Sequence, residues 1–157
     1  MFDLLTTVKG EGRLATLRKI RNGEEHLIAN DPVRPHIPFD WRTRNGRSVY
    51  VLEDEDSGSI DAVICVAMMD EVPTCEADMK WPGVDVAVFY TVWSYRKGAG
   101  REIVFAVAKQ IKKDSPYTKR YVTLSPLTEM AKNFHLKNGA KFVAKHYDCQ
   151  NFEYFLD

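Results

Sequence analysis

Apolar and polar positions change rhythm along the chain, and each change marks an element. Residues 84–93 (VDVAVFYTVW) are almost continuously apolar, with β-branched and aromatic side chains, as in a strand buried on both faces. Residues 59–69 (SIDAVICVAMM) read the same way. Residues 48–56 (SVYVLEDED) alternate before a Ser57–Gly58 turn, so the two runs predict a hairpin. Residues 101–114 (REIVFAVAKQIKKD) read as a helix that opens directly from a glycine loop. A strand over 120–125 follows, then a helix over 128–139 with Thr128 as N-cap, then a final hairpin from 140–148 and 149–157. Near the start, Leu14, Leu17, Ile20 and Leu27 recur at near-helical spacing. That spacing predicts one helix over 10–31, or two short ones broken around Asn22–Gly23. Pro32, Pro35 and Pro38 exclude regular structure from the next stretch, and 70–83 reads as a long irregular loop.

These elements describe an α/β (α+β) fold, a mixed and largely antiparallel twisted sheet flanked by helices. At 157 residues the chain is expected to form one domain over 1–157. Lys plus Arg (22) equals Asp plus Glu (22), so no global field favours nucleic acid or an anionic membrane. No apolar run approaches the roughly 18 residues of a membrane span. The start, MFDLLTTVKGEG, lacks the basic-then-apolar layout of a secretory signal, so a cytoplasmic location is expected. Cys65, Cys75 and Cys149 are odd in number and lack CxxC spacing, and the four histidines lack paired-ligand spacing. Reduced thiols and no metal are the expectation.

The segment SYRKGAG (94–100) stands between a buried strand and a helix. A glycine-rich loop opening into a helix leaves backbone N–H groups unpaired beside the positive end of the helix dipole, where a phosphate or pyrophosphate binds. Arg96, Lys97 and Arg101 add positive charge to that loop.

In this order of elements, and in motif over 84–142, the chain resembles the GNAT superfamily of acyl-CoA-dependent N-acyltransferases. The family's pyrophosphate loop reads R/Q-x-x-G-x-G/A. Gly98 and Gly100 fit it, while Tyr95 stands where Arg or Gln is expected and Arg96 comes one place late. The resemblance implies a coenzyme A site formed by Val92, Trp93, Tyr95, Arg96, Lys97, Gly98, Ala99, Gly100 and Arg101. It also implies that the strand carrying 84–93 splays from its neighbour after Val92, with the pantetheine arm in the gap. A second resemblance covers the last third. TLSPLT (123–128), FHLKNGA (134–140) and FEYFL (152–156) look like the C-terminal part of malonyl-CoA decarboxylases, which share the GNAT fold. In that branch the serine before the proline and the histidine of the FHL run are catalytic, and they match Ser125 and His135. The decarboxylases' long insertion between the two motifs has no counterpart here.

His135 also lies between Ala131 and Gly139 at the spacing A-x-x-x-Y-x-x-x-G, where mainstream acetyltransferases place a thiolate-protonating tyrosine. A histidine with a pKa near neutrality donates a proton to a thiolate or an enolate. Its bland alternative is a ring packed beside Phe134. Ser125, at a strand end beside the gap, is expected to bond a substrate carboxylate or carbonyl and to flank the substrate opposite His135. Asp70, Glu71, Glu76 and Asp85 are candidates for a general base, each also readable as a solvated loop or edge residue. Phe89, Tyr90 and Trp93 are candidate walls of an acyl pocket, or ordinary core.

The leading reading is transfer of an acetyl or related acyl group from its CoA thioester to an amine of unspecified kind. Decarboxylation of malonyl-CoA through Ser125 and His135 stands second, and a non-catalytic CoA-binding module third. GNAT relatives often pair, so a homodimer is a further expectation.

Overall fold

A computed structural model describes residues 6–10 and 13–156. Among these residues nine strands form one sheet. In chain order they are β1 (Thr6–Gly10), β2 (Arg13–Lys19), β3 (Arg47–Asp54), β4 (Ile60–Met69), β5 (Val86–Ser94), β6 (Arg120–Thr123), β7 (Ser125–Pro126), β8 (Lys141–Lys145) and β9 (Cys149–Tyr154). The helices are α1 (Phe39–Arg42), α2 (Ala99–Asp114) and α3 (Glu129–Lys137), with short 3-10 turns at Glu25–Asn30 and Glu76–Lys80. Across the sheet the order is β1-β2-β3-β4-β5-β6-β9-β7, and β8 pairs with β9. Every pairing is antiparallel except β5 with β6.

The strands β4 and β5 are apolar on both faces because both faces are covered. Ile64, Val66, Ala87 and Phe89 point to the side where α2 lays down Ile103, Val104, Val107 and Ile111. Val63, Cys65, Val88 and Tyr90 point to the other side, where they meet Leu27, Ile28, Ile37 and Leu124. Full burial of a side chain such as Ile103 contributes roughly 1.5–3 kcal/mol. The helix α2 stops at Ser115, just before Pro116, whose ring disfavours helical geometry in the preceding residue. Thr128 caps α3 as expected, its hydroxyl accepting from the Ala131 N–H at 3.2 Å.

Within residues 10–31 the expected helix is replaced by the β1–β2 hairpin and a 3-10 turn, with positions 11 and 12 outside the described residues. The competing period was two: Ala15 and Leu17 face the core while Leu14 is exposed, and β2 pairs with β3 in the register Leu17↔Leu52. Helical spacing among Leu14, Leu17 and Ile20 was coincidental to that alternation. Among the described residues no helix is long and apolar enough to cross a membrane, and no His, Cys, Asp and Glu side chains gather as a metal site. All three cysteines are free thiols.

Candidate functional site

The parallel pair β5–β6 runs in register from Val86↔Arg120 to Phe89↔Thr123 and then parts. Its last bond goes from the Leu124 N–H to the Phe89 carbonyl, at 3.1 Å. Two local features open the gap. Cys65 stands opposite Thr91 while Val66 stands opposite Phe89, so Tyr90 is the extra residue of a bulge that bends β5. On the other side the chain leaves β5 to form β7, which pairs with β9 in the register Ser125↔Gln150. The parting therefore begins after Phe89, three residues earlier than the expected break after Val92, because the bulge sits at Tyr90.

At the C-terminal end of β5 the Gly loop turns into α2. The helix begins at Ala99, two residues before the expected start at Arg101, and Gly98 caps it with φ 85°. That left-handed geometry is open to glycine and strained for most other residues. Gly100 is needed for a different reason: a Cβ there would meet Phe134 Cε1 of α3 at 3.2 Å. The N–H groups of Gly98, Gly100 and Arg101 have no backbone acceptor among the described residues.

The charges around the loop differ from expectation. Arg96 is not free for a ligand. Its Nε lies 3.2 Å from Asp61 Oδ2, and Nη2 pairs with Glu102 on the first turn of α2. Burial alone would lower its pKa, but these two carboxylates hold it above its usual range. Its work is to brace the loop. Lys97 is exposed beside Gly98 and Ala99. Arg101 donates to Asn138 Oδ1 at 3.2 Å and covers the Phe105 ring at 4.8 Å. Tyr95, standing where the family motif has Arg or Gln, receives hydrogen bonds on its hydroxyl from Trp93 Nε1 and Asn30 Nδ2, each at 3.0 Å. Trp93 and Val92 remain on the strand edge that lines the gap.

His135 sits on the same face of the sheet as α2, between Phe134 and β9. Its ring stacks on Phe152 at 5.5 Å and meets Phe134 edge-on at 5.1 Å. Nδ1 lies 2.7 Å from the Tyr154 hydroxyl. The ring is 5% exposed, and burial pushes its pKa down to about 4, so it is neutral at neutral pH. The expected near-neutral pKa is thus corrected, because the aromatic walls that orient the ring also strip water from it. Nε2 makes no hydrogen bond among the described residues. It is also absent from the sealed, unpartnered atoms, which are Tyr90 Oη, Tyr121 Oη and Asn138 Nδ2. The second nitrogen is therefore unpartnered without being fully sealed.

Ser125 is buried at the strand switch, where its hydroxyl donates to Thr123 Oγ1 at 2.8 Å. Thr123 Oγ1 also accepts from the Phe152 N–H at 3.0 Å, one residue pair away from the His135 stack. Ser125 and His135 share no hydrogen bond, and Thr123 and Phe152 stand between them.

The acidic candidates separate. Asp70 accepts from the Val84 N–H at 2.9 Å and holds a turn. Asp85 precedes β5 at its far end, 4.0 Å from Lys119. Glu71 is exposed beside a surface recess of about 280 Å³. Glu76 alone reaches the gap, through Arg34, whose Nε lies 3.1 Å from Glu76 Oε1.

Arg34 belongs to the proline-rich loop and was not foreseen. It enters from the face opposite α2, and its Nη1 donates to the Tyr90 carbonyl and, at 3.4 Å, to Thr91 Oγ1. A buried ion pair fixes its backbone. Asp31 Oδ1 accepts from the Arg34 N–H at 2.8 Å, Asp31 Oδ2 binds Arg42 Nη1 at 2.7 Å, and Arg42 Nη2 reaches the Arg34 carbonyl at 2.5 Å. The available signal was an arginine between two prolines, where a rigid loop holds a charge that a flexible one would leave in water.

No protein-family model matches the chain, and no curated protein matches it. Solved structures do. A GNAT-family acetyltransferase from Listeria monocytogenes superposes with a TM-score of 0.66 at 13% identity, over 96% of this chain and 100% of that one. A variant of a spermidine N-acetyltransferase from Vibrio cholerae gives 0.62 at 12% identity, over 89% and 92%. A malonyl-CoA decarboxylase from Rhodopseudomonas palustris gives 0.57 at 21% identity, over 80% of this chain but 34% of that one. The parted β5–β6 pair, the Gly loop and the order of strands are those of the GNAT fold, and this chain has that fold.

Proposed function

We propose that this chain binds an acyl-CoA and transfers its acyl group, in the simplest case acetyl, to an amine. The observation that carries the reading is the coincidence of two features on one strand. The strand β5 parts from β6 after Phe89, and it ends in a loop whose Gly98, Gly100 and Arg101 N–H groups have no backbone acceptor. An extended pantetheine arm fits the first feature through strand-like backbone bonds, and a pyrophosphate fits the second. Lys97 and Arg101 supply the charge that Arg96 does not. The likeness to acetyltransferases supports the same reading at the level of fold.

In this reading the amine nitrogen attacks the thioester carbon, the C–S bond breaks, and the proton lost by nitrogen ends on sulfur. His135 meets the departing thiolate as a neutral ring. With Tyr154 donating to Nδ1, the His135 proton is on Nε2, which donates a hydrogen bond to the sulfur. Ser125, on β7 beside β9, serves in this reading as a polar contact for the acyl carbonyl.

A second reading, loss of carbon dioxide from malonyl-CoA, is favoured by one observation. Ser125 and His135 are both buried within a structure that superposes on a decarboxylase. Calorimetry with CoA, followed by incubation with acetyl-CoA plus an amine panel and with malonyl-CoA alone, tests both. Binding with acceptor-dependent thiol release supports transfer. Acetyl-CoA formed from malonyl-CoA without an acceptor supports decarboxylation. No binding of CoA would refute both.

A further inference from the structure

Three arginines are buried on the face opposite α2: Arg34, Arg42 and Arg47. Arg42 pairs with Asp31, whereas Arg47 donates to the Trp41 and Met79 carbonyls and has no carboxylate partner among the described residues. Arg34 pairs with Glu76, which also holds His36 Nε2 at 2.8 Å. The guanidinium without a carboxylate is thus Arg47, which carbonyls satisfy, while Arg34 has Glu76 as its counter-ion and keeps one nitrogen unbonded. Desolvating an arginine costs several kcal/mol unless something binds it. The loop, the Asp31–Arg42 pair and the bulge carbonyl are arranged to hold Arg34 at the parting of β5 and β6.

Arg34 is 5% exposed, and two of its three nitrogens are engaged. Nη2 makes no hydrogen bond among the described residues, and it too is absent from the sealed, unpartnered atoms. Nη2 is therefore unpartnered without being fully sealed, and its neighbour Nη1 is bonded to Tyr90, the residue that follows the last paired position of β5.

We propose that Arg34 Nη2 is the binding point for a carboxylate carried by the substrate, on the acyl group or on the amine. The proposal rests on the acyl-CoA reading and names the class of substrate that site takes. The coenzyme's phosphates belong to the Gly loop at the end of β5. An anion at Tyr90 must therefore ride on one of the reacting groups, and a carboxylate oxygen accepts a charge-assisted hydrogen bond from Nη2. Glu76 holds Nε and the β5 backbone holds Nη1, so Nη2 alone is left and the guanidinium cannot rotate away.

The test compares wild type with Arg34→Gln and Arg34→Lys, each shown to be folded by its melting transition. Malonyl-CoA should bind wild type about tenfold tighter than acetyl-CoA if the carboxylate is on the acyl group, the scale of one charge-assisted bond. If the two bind equally, glycine and glutamate should outperform methylamine and propylamine by about tenfold in kcat/KM with acetyl-CoA. Either preference should vanish in Arg34→Gln and weaken in Arg34→Lys, with free CoA affinity within twofold of wild type. Free malonate, titrated without coenzyme, should shift the guanidinium Nε–H resonance that Arg34→Lys lacks, which tests the carboxylate site even if CoA does not bind. Absence of both preferences together with no malonate shift overturns the proposal. So does a preference that survives in folded Arg34→Gln, or an equal loss in that variant with carboxylate-free substrates, which would make Arg34 a contact for the thioester oxygen.

Discussion

The Nδ1 atom of His135 and the hydroxyl of Tyr154 lie 2.7 Å apart, on a helix and a strand that meet through the aromatic ring of Phe152. The contact fixes the ring's rotation. Tyr154→Phe keeps the packing and removes only this bond. Turnover should fall about tenfold or more, with CoA affinity unchanged, while His135→Ala should lower it by about 10², the scale of a positioned proton donor. Steady-state rates per folded molecule check both. Equal rates in wild type and His135→Ala would assign the ring to packing alone.

Burial of His135 also links stability to acid. Its folded pKa, about 4, lies below the unfolded value of about 6.5, so the unfolded chain binds the extra proton first. Stability is complete above pH 6.5 and declines as pH falls toward 4. At pH 4.5 the loss should be about 2–3 kcal/mol. Urea midpoints of wild type and His135→Phe, compared at pH 7.5 and 4.5, isolate this contribution from the other titrating groups. The difference between the two proteins should change with pH by that amount.

Gly98 tests the phosphate end. Gly98→Asp puts a side chain on φ 85° backbone and a negative charge beside the open N–H groups. CoA affinity measured by calorimetry should fall at least tenfold, while Gly98→Asn, which tolerates the left-handed region, should lose less. Unchanged binding in a folded Gly98→Asp protein would move the pyrophosphate elsewhere.

Asp31 and Arg42 are both sealed from solvent, at 2.7 Å. Asp31→Ala leaves the Arg42 charge uncompensated and also removes the acceptor for two backbone N–H groups of the loop. Such a change costs about 3–5 kcal/mol. Chemical unfolding should show it, and proteolysis should cut first in the loop that carries Arg34.

The central part of the fold could be read from the chain because its signals were local and agreed with one another. Continuous apolar runs marked β4 and β5, the glycine loop marked the start of α2 to within two residues, and Thr128 capped α3 where its hydroxyl predicted. The hairpin from β1 and β2 was missed because two apolar periods overlapped in RLATLRK, and only the partner strand β3 decides between them. Site geometry was legible where it depends on glycine and illegible where it depends on burial. Gly98 and Gly100 announce the loop, but nothing in SYRKGAG says that Arg96 is claimed by Asp61 from another strand. Spacing singles out His135, but its lowered pKa comes from burial against Phe152 and Tyr154, far along the chain. Arg34 was missed because its partners are a carbonyl in β5 and a carboxylate in a distant turn.

One strand, β9, pairs with β6, β7 and β8, and it is the last strand of the sheet in chain order. It carries Phe152 and Tyr154, the ring and the hydroxyl that hold His135. During synthesis the segment from β1 to α2 can fold as it emerges, but α3 has no aromatic wall to dock against until residue 154 has left the ribosome. The side of the gap that bears the histidine is therefore completed later than the Gly loop, and a partly made chain that has already formed that loop still lacks the wall of Phe152 and Tyr154.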